Sequence, residues 1–113
     1  MFEKHTSEEY TQPVPGIKQK TLVFGERTLM TEFILTKNSN LPDHAHPYEQ
    51  TGYLVKGQIV LRIGEKEHNA TPGDAWCIPM NIPHSARILE DSIAIEIFSP
   101  PRADYLPKGS NRK

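Results

Sequence analysis

The sequence predicts an all-β protein built as one antiparallel sandwich or barrel. Apolar and polar residues alternate with period two over most of the chain. Turn-forming residues recur at short intervals between these runs. No window of about eleven residues has its apolar residues at helical spacing. Many short strands separated by evenly spaced turns are typical of sandwiches and barrels.

Five runs rich in β-branched and aromatic residues are predicted as strands: residues 29–35, 52–55, 58–63, 75–78 and 92–98. Tight turns are predicted at residues 25–26, 37–40, 56–57, 64–65, 72–74 and 80–83. Residues 1–16 contain Pro13 and Pro15 and are predicted to form an arm. Residues 17–100 are then the barrel, and residues 101–113 are a tail.

The length and charge of the chain limit the number of domains and the kinds of partner that we expect. Its 113 residues suffice for one domain, since a typical domain has about 100–150 residues. The net charge of -1 and the lack of a long basic run argue against nucleic acid or an anionic membrane as a partner. The polar N-terminus and the single cysteine, Cys77, predict a cytoplasmic protein without an internal disulfide. Residues 108–113 are predicted to be a solvated end.

Three of the five histidines are spaced as metal ligands would be. His44 and His46 are two residues apart, so on one strand they face the same side, about 6.6 Å apart at Cα. Gln50 can add a neutral carbonyl oxygen, whereas alternation turns the rival ligand Glu49 to the opposite face. His84 follows a proline-bounded turn much later in the chain. By itself, a His-x-His pair suits surface or core histidines as well as a metal site.

The histidines fall within two motifs that resemble those of the cupin family. The first motif, G-x5-H-x-H-x3or4-E-x6-G, is matched by His44, His46, Gln50 and Gly57. The second, G-x5-P-x-G-x2-H-x3-N, is matched by Gly73, Pro79 and His84. Two family glycines are replaced by Asn38 and Asn81, which tolerate left-handed backbone conformations, and the closing asparagine is replaced by Ile88.

The resemblance implies a single-domain jelly-roll barrel, also called a double-stranded β-helix, that holds one divalent transition metal ion. The implied ligands are His44, His46, Gln50 and His84. Nitrogen and oxygen ligands accept several first-row ions, so Ni, Mn, Fe and Zn all remain open. Glutamine replaces the family's glutamate at position 50, so the ligands leave the ion with its full double charge.

The last predicted strand has two different faces. One carries Ile93, Ile95 and Ile97, and the other carries Ala94, Glu96 and Phe98. Either the isoleucines are core and Glu96 is solvated, or the Glu96 face lines the barrel mouth. In the second case the isoleucines pack on the second sheet or on a dimer partner. The alternation does not decide between these two orientations.

Residues 96–102, EIFSPPR, resemble the end of the pectin-degradation cupins of the KdgF type. Those proteins also carry glutamine as the fourth ligand and open the ring of unsaturated uronates, giving a linear keto sugar acid. The resemblance implies that Glu96, usually Asp in that family, is the acid/base residue. Phe98 would be a pocket wall and Arg102 the clamp for the substrate carboxylate. Small cupins are commonly homodimers, which is the expected assembly here.

Two other functions stay open at this point. Histidine-rich open sites also suit a metal-dependent dioxygenase. A non-catalytic barrel could use Glu96 and Arg102 only to recognise a sugar or metabolite. Among the remaining residues, Trp76 and Cys77 are predicted to be packing residues, with Trp76 near the pocket rim. Two histidines are predicted to be solvated, His5 and His68. The pattern does not decide which way two further side chains face, those of Tyr53 and Arg62.

Overall fold

The computed structural model describes residues 1–107, which form eight strands and one short 3-10 helix. The strands are β1 (Thr11–Val14), β2 (Ile17–Phe24), β3 (Leu29–Leu35), β4 (Asn40–His44), β5 (Glu49–Ile63), β6 (Lys66–Ala70), β7 (Ala75–Ile78) and β8 (His84–Ser99). The helix is η1 (Ala103–Tyr105). Within this described part, no helix is long and apolar enough to cross a membrane. The solvated end predicted for residues 108–113 lies outside the described residues.

The two long strands β5 and β8 organise the barrel. They pair antiparallel from Glu49 opposite Ser99 to Ile63 opposite His84. At one end β8 also pairs with β3 and β5 with β7, whereas at the other end β8 pairs with β4 and β5 with β6. Each long strand therefore serves two sheets, as in a jelly roll. The all-β fold predicted from the alternation is confirmed.

The turn predicted at residues 56–57 is wrong, because β5 runs through it. The pairing of β5 with β8 instead shifts register between Leu54 and Ile59. Gly57 has φ +98°, and a Cβ there would lie 2.0 Å from the Ser92 hydroxyl oxygen. That hydroxyl accepts a hydrogen bond from the backbone N–H of Gln58 at 3.0 Å. Gly57 thus marks a bulge that bends the strand from one sheet into the other.

Both ends of the described chain contribute more to the barrel than the predicted arm and tail would. Thr11–Val14, within the predicted arm, forms β1 and pairs antiparallel with β2. The Tyr10 hydroxyl donates a hydrogen bond to the Glu32 carboxylate on β3. Beyond the barrel, Tyr105 and Leu106 pack against the core. These contacts bring the tail over one end of the interior.

The core lies between the two sheets and also settles the orientation of β8. Its buried residues are Ile17, Leu29, Phe33, Leu35, Leu54, Ile59, Leu61, Ala70, Ala86, Ile88, Ala94 and Phe98. Glu96 shares the inward face with Ala94 and Phe98 and is 9% exposed. Ile93, Ile95 and Ile97 lie on the outer face and are partly exposed. The inward orientation of Glu96 is the second of the two predicted alternatives.

Candidate functional site

A cavity of about 260 Å³ opens into the barrel interior. Most of its wall is apolar, from residues such as Phe33, Leu61 and Ile88. Its polar lining residues are His44, Gln50, His84, Glu96, Arg102 and Tyr105. Pockets with an apolar wall and a few converging polar groups are typical ligand sites.

Three histidines cluster beside this cavity, two of which (His44 and His84) line it, although the cluster does not form as the sequence predicted. His44 is the last residue of β4, and His46 lies in the loop that follows, so the pair does not share a strand. The loop turns the His46 ring back towards His84, the first residue of β8, with ring centroids 4.9 Å apart. The His44 and His84 centroids are 4.1 Å apart. One ligand nitrogen from each ring lies within 4.8 Å of the others.

The hydrogen bonds of two rings leave a nitrogen of each available as a ligand. Nδ1 of His84 lies 2.9 Å from the carbonyl oxygen of Ile82, and Nδ1 of His44 lies 2.8 Å from that of Pro42. Since a carbonyl can only accept, both rings carry the proton on Nδ1 and have an unprotonated Nε2. Nε2 of His84 is buried without a hydrogen-bond partner among the described residues. Such an orphaned nitrogen is costly, and a bound ion would satisfy it.

Burial favours the neutral form of the His46 and His84 imidazoles, which is the form that binds metals. It lowers the pKa of His84 to about 4. The pKa of His46 is also lowered, first by burial and then by the charge of Arg102. Nδ1 of His46 is a second buried nitrogen without a partner within residues 1–107.

Gln50 lies on β5 between the histidines and a buried carboxyl group. Its Oε1 is 3.0 Å from Nε2 of His46, and its Nε2 donates to Oε1 of Glu96 at 3.0 Å. Two ligand atoms each about 2.1 Å from one ion, at right angles, would be about 3 Å apart. The three histidines and Gln50 therefore fit a first-row transition metal ion. A glutamate at position 50 could not donate to Glu96.

Glu96 is a carboxyl group buried in the barrel wall. Burial raises its pKa to about 7, against the opposing effect of hydrogen bonds from Gln50 and Trp76. The Trp76 indole Nε1 donates to Oε1 of Glu96 at 3.1 Å. This contact was not predicted from the sequence. Its signal is Gly52, which pairs with Trp76 on one side and Glu96 on the other, since a strand-interior glycine often marks a close approach.

Arg102 lies among three aromatic rings at the cavity mouth. Its guanidinium carbon is 4.0 Å from the ring centroid of Tyr105, 4.9 Å from that of Phe98 and 5.4 Å from that of Tyr48. Nε and Nη2 donate to the Asp104 carboxylate at 3.2 and 2.8 Å. The side chain of Arg102 is 15% exposed. Sequence patterns missed Tyr48, Tyr105 and Asp104. Asp104 and Tyr105 contact Arg102 locally within η1, whereas the fold-back of the tail brings Arg102 to Tyr48.

The other residues singled out in the sequence lie away from this cluster. Arg62 pairs with Asp43 at 2.7 Å and is partly exposed. Tyr53 is 49% exposed on the outer face. His5 and His68 are exposed, as predicted. The prediction of a buried Cys77 is wrong, because alternation along β7 turns Cys77 outward and Ile78 inward.

Comparison with known proteins agrees with this geometry. The family model for the cupin domain matches residues 31–99. The pectin degradation protein KdgF of Dickeya dadantii (strain 3937) is 30% identical over 93 residues, 80% of this chain and 84% of that protein. The chain belongs to the cupin family.

Within the cupins, the similarity to KdgF extends to the structure. KdgF from Halomonas sp. superposes with a TM-score of 0.88 and 28% identity, covering 94% of this chain and 98% of that one. This cupin is therefore of the KdgF type. H2HPP isomerase of Bacillus subtilis is 29% identical over 85 residues, 73% of this chain, which spans 36% of that protein. Both comparisons point to an enzyme relative, and the three histidines of this cupin could hold a metal ion.

Proposed function

We propose that this cupin opens the ring of unsaturated uronate sugars, a metal-assisted isomerisation that gives a linear keto sugar acid. The observation that carries the proposal is the placement of Glu96 and Arg102 in the same cavity as the histidine cluster. The similarity to KdgF over 80% of the chain supports the substrate class. The similarity to an enzyme named as an isomerase supports the reaction class.

The proposed reaction moves one proton within the substrate. The anomeric O–H bond breaks, that oxygen forms a carbonyl, and the bond from the anomeric carbon to the ring oxygen breaks. The ring oxygen becomes the keto oxygen at the former double bond, and the neighbouring alkene carbon gains a proton. We assign both proton transfers to Glu96. A carboxyl group whose burial raises its pKa to about 7 can take and return a proton near neutral pH.

Arg102 would hold the substrate carboxylate in this scheme. Asp104 occupies the Nε and Nη2 edge of its guanidinium group, and Nη1 has no hydrogen-bond partner among residues 1–107. A carboxylate can therefore bind the Nη1 and Nη2 end with two hydrogen bonds, which fixes its orientation. Phe98, under the guanidinium, would form the wall against which the sugar ring lies.

The ligands assigned to the ion are His44, His46, Gln50 and His84. When bound, a divalent ion at these residues would polarise the substrate oxygens and so make the anomeric proton more acidic. All four ligands are neutral, so the site keeps its full positive charge for an anionic substrate.

The decisive experiment mixes metal-analysed protein with unsaturated galacturonate freshly made by a lyase and follows loss of the alkene absorbance. Metal-dependent loss that is abolished in His84→Ala and Arg102→Ala is the expected result. His68→Ala and Arg87→Ala are matched controls, because both residues are exposed and lie outside the site. Decay at the spontaneous rate with metal bound would overturn the uronate assignment. Oxygen uptake by the iron-loaded protein would instead favour a dioxygenase.

Glu96→Gln separates catalysis from simple binding. It keeps the size of the side chain and leaves an amide oxygen that can accept from Gln50 and Trp76. We expect turnover to fall about 10²- to 10⁴-fold, the usual contribution of a general acid or base. Binding of saturated galacturonate, measured by calorimetry, should stay within about twofold. Unchanged turnover would show that Glu96 is not the acid/base residue.

A homodimer is the assembly that we propose, formed through the outer face of β3, β5 and β8. This outer apolar face consists of Met30, Ile34, Tyr53, Val55, Ile93, Ile95 and Ile97. Tyr53 and Val55 are 49% and 48% exposed. The other five are partly exposed, and Glu32 lies among them opposite Ile95. Apolar surface of this kind is typical of protein interfaces. The single domain covering residues 1–113 and the cytoplasmic location stay predictions.

A further inference from the structure

The carboxyl group of Glu96 is held asymmetrically. Both of its hydrogen bonds, from Gln50 and from Trp76, end on Oε1. Oε2 has no hydrogen-bond partner within residues 1–107. In residues 1–107, two side-chain atoms are fully buried without a hydrogen-bond partner, and both are histidine nitrogens. Oε2 of Glu96 is not one of them, so it is not fully buried. Oε2 is therefore open to the cavity that Glu96 lines.

Three strands build this arrangement around Gly52. Gly52 on β5 pairs with Trp76 on β7 and with Glu96 on β8. A Cβ at Gly52 would lie 2.1 Å from the indole Nε1 and 2.3 Å from Oε1 of Glu96. The indole therefore reaches Glu96 across the bare backbone of Gly52. Any side chain at this position would separate donor and acceptor.

We propose that Trp76 is a positioning residue that fixes Glu96 so that Oε2 is the oxygen exchanging the proton with the substrate. This inference rests on the proposed function. With two N–H donors on Oε1, the proton taken from the anomeric hydroxyl is placed on Oε2, and the same oxygen returns it to the alkene carbon. A terminal carboxyl torsion is broad and nearly two-fold. With Gln50 as the only donor, the group would rotate more freely and present either oxygen.

The contact can be tested without any substrate, because the chain has one tryptophan. The protein labelled with ¹⁵N and loaded with diamagnetic Zn²⁺ should give a single indole N–H resonance, shifted downfield and protected from solvent exchange. In Glu96→Ala that resonance should move upfield and exchange faster, with the remaining spectrum dispersed as in the folded protein. Glu65→Ala, an exposed site, is the control. An indole resonance unaffected by Glu96→Ala would overturn the contact.

The role is tested by kinetics in two backgrounds. Trp76→Phe keeps an aromatic ring but lacks the N–H, and should lower kcat about tenfold with KM within about twofold, as for a lost hydrogen bond to a charged group. In a Glu96→Asp background the shorter side chain withdraws from the indole, so Trp76→Phe should change kcat little. Equal losses in both backgrounds would show a merely structural role and overturn the proposal.

The two proposals fail in different ways. If the wild-type protein does not open unsaturated uronates, the proposed function falls, and the kinetic role of Trp76 falls with it. If turnover occurs but Trp76→Phe is as active as the wild type, only the positioning role is overturned. An indole resonance that is the same in the wild type and in Glu96→Ala likewise contradicts the positioning role alone.

Discussion

The two faces of the last half of β8 show the opposite of the usual burial: a glutamate faces the interior and isoleucines face outward. The inward face carries the charged residue Glu96 between Ala94 and Phe98, and Glu96 is 9% exposed. The outward face carries three isoleucines in a row, each partly exposed. Usually isoleucine is among the most buried residues and glutamate among the least. The outward isoleucines lie beside Tyr53 and Val55 of β5, so the reversal extends across strands.

Each face has its own physical reason. A carboxyl group in the interior is costly unless it is hydrogen-bonded, and the two N–H donors on Glu96 lower that cost. On the outer face, Glu32 lies opposite Ile95 and accepts a hydrogen bond from the Tyr10 hydroxyl, and the apolar side chains around it would be stabilised by a covering surface. We therefore interpret the inner reversal as part of the proposed catalytic site and the outer reversal as the proposed dimer interface. Three measurements test this distinction.

The largest effect is expected from a charge on the outer face. Ile97 lies between Met30 and Thr51 in the register of the sheet. Ile97→Asp should weaken the proposed dimer by roughly 100-fold or more, because an unpaired charge in an interface costs several kcal/mol. Sedimentation equilibrium measures this directly, with Ile97→Val as the control that stays dimeric. Equal masses for the wild type and Ile97→Asp would contradict an interface on this face.

The buried carboxyl group of Glu96 on the inner face should make the free energy of unfolding depend on pH. The folded pKa of Glu96 is about 7, above its ordinary 4.5. The folded protein therefore binds more protons than the unfolded chain between these values, and its stability falls as pH rises through this window. Glu96→Gln lacks this loss. Relative to that variant, the wild type should lose about 3 kcal/mol between pH 4.5 and pH 8, at about 1.4 kcal/mol per pKa unit.

Chemical denaturation of both metal-free proteins at several pH values gives this difference. His84, whose pKa is lowered to about 4, destabilises the fold as pH falls below 6.5. That contribution is common to both proteins and cancels in the difference. A difference that does not vary with pH would mean that Glu96 is ordinarily solvated.

The smallest effect is expected at the cavity mouth, where Asp104 holds Arg102. Asp104 is 57% exposed at its side chain, and such partly exposed pairs contribute only about 0.2–1 kcal/mol. Asp104→Asn should therefore raise KM for the uronate about two- to fivefold with kcat unchanged. Glu67→Gln, which disturbs the exposed pair with Arg87 outside the cavity, is the control. A changed kcat would show that Asp104 does more than orient Arg102.

Much of the fold could be predicted from local pattern. The predicted bounds of β3 and β7 agree with the structure, because alternation and flanking turns are local properties. The bend at Gly57 could not be distinguished from a turn, since a glycine at positive φ serves either. The loop that brings His46 to the cluster could not be predicted either, because the prediction assumed that His44 and His46 lie on one strand.

The residues of the candidate site likewise fall into those that a local motif predicts and those that long-range contacts bring in. The motif spacing predicted the four residues now found around one end of the cavity, because each motif is short and contiguous. Trp76 and Tyr105 reach the site through contacts between distant segments, across Gly52 in one case and by the fold-back of the tail in the other. Such contacts depend on register between strands, which a single sequence does not determine.

Gln50 uses both ends of one planar amide, and the two ends cannot respond independently. Turning the amide over would bring its N–H₂ to His46 and its oxygen to Glu96, replacing both contacts at once. An ion held at the proposed site would therefore bias the protonation of Glu96. By thermodynamic reciprocity, the protonation of Glu96 alters the affinity at the histidines by the same factor. Ion binding at the proposed histidine site and proton binding at Glu96 would thus be coupled through Gln50, which is itself uncharged.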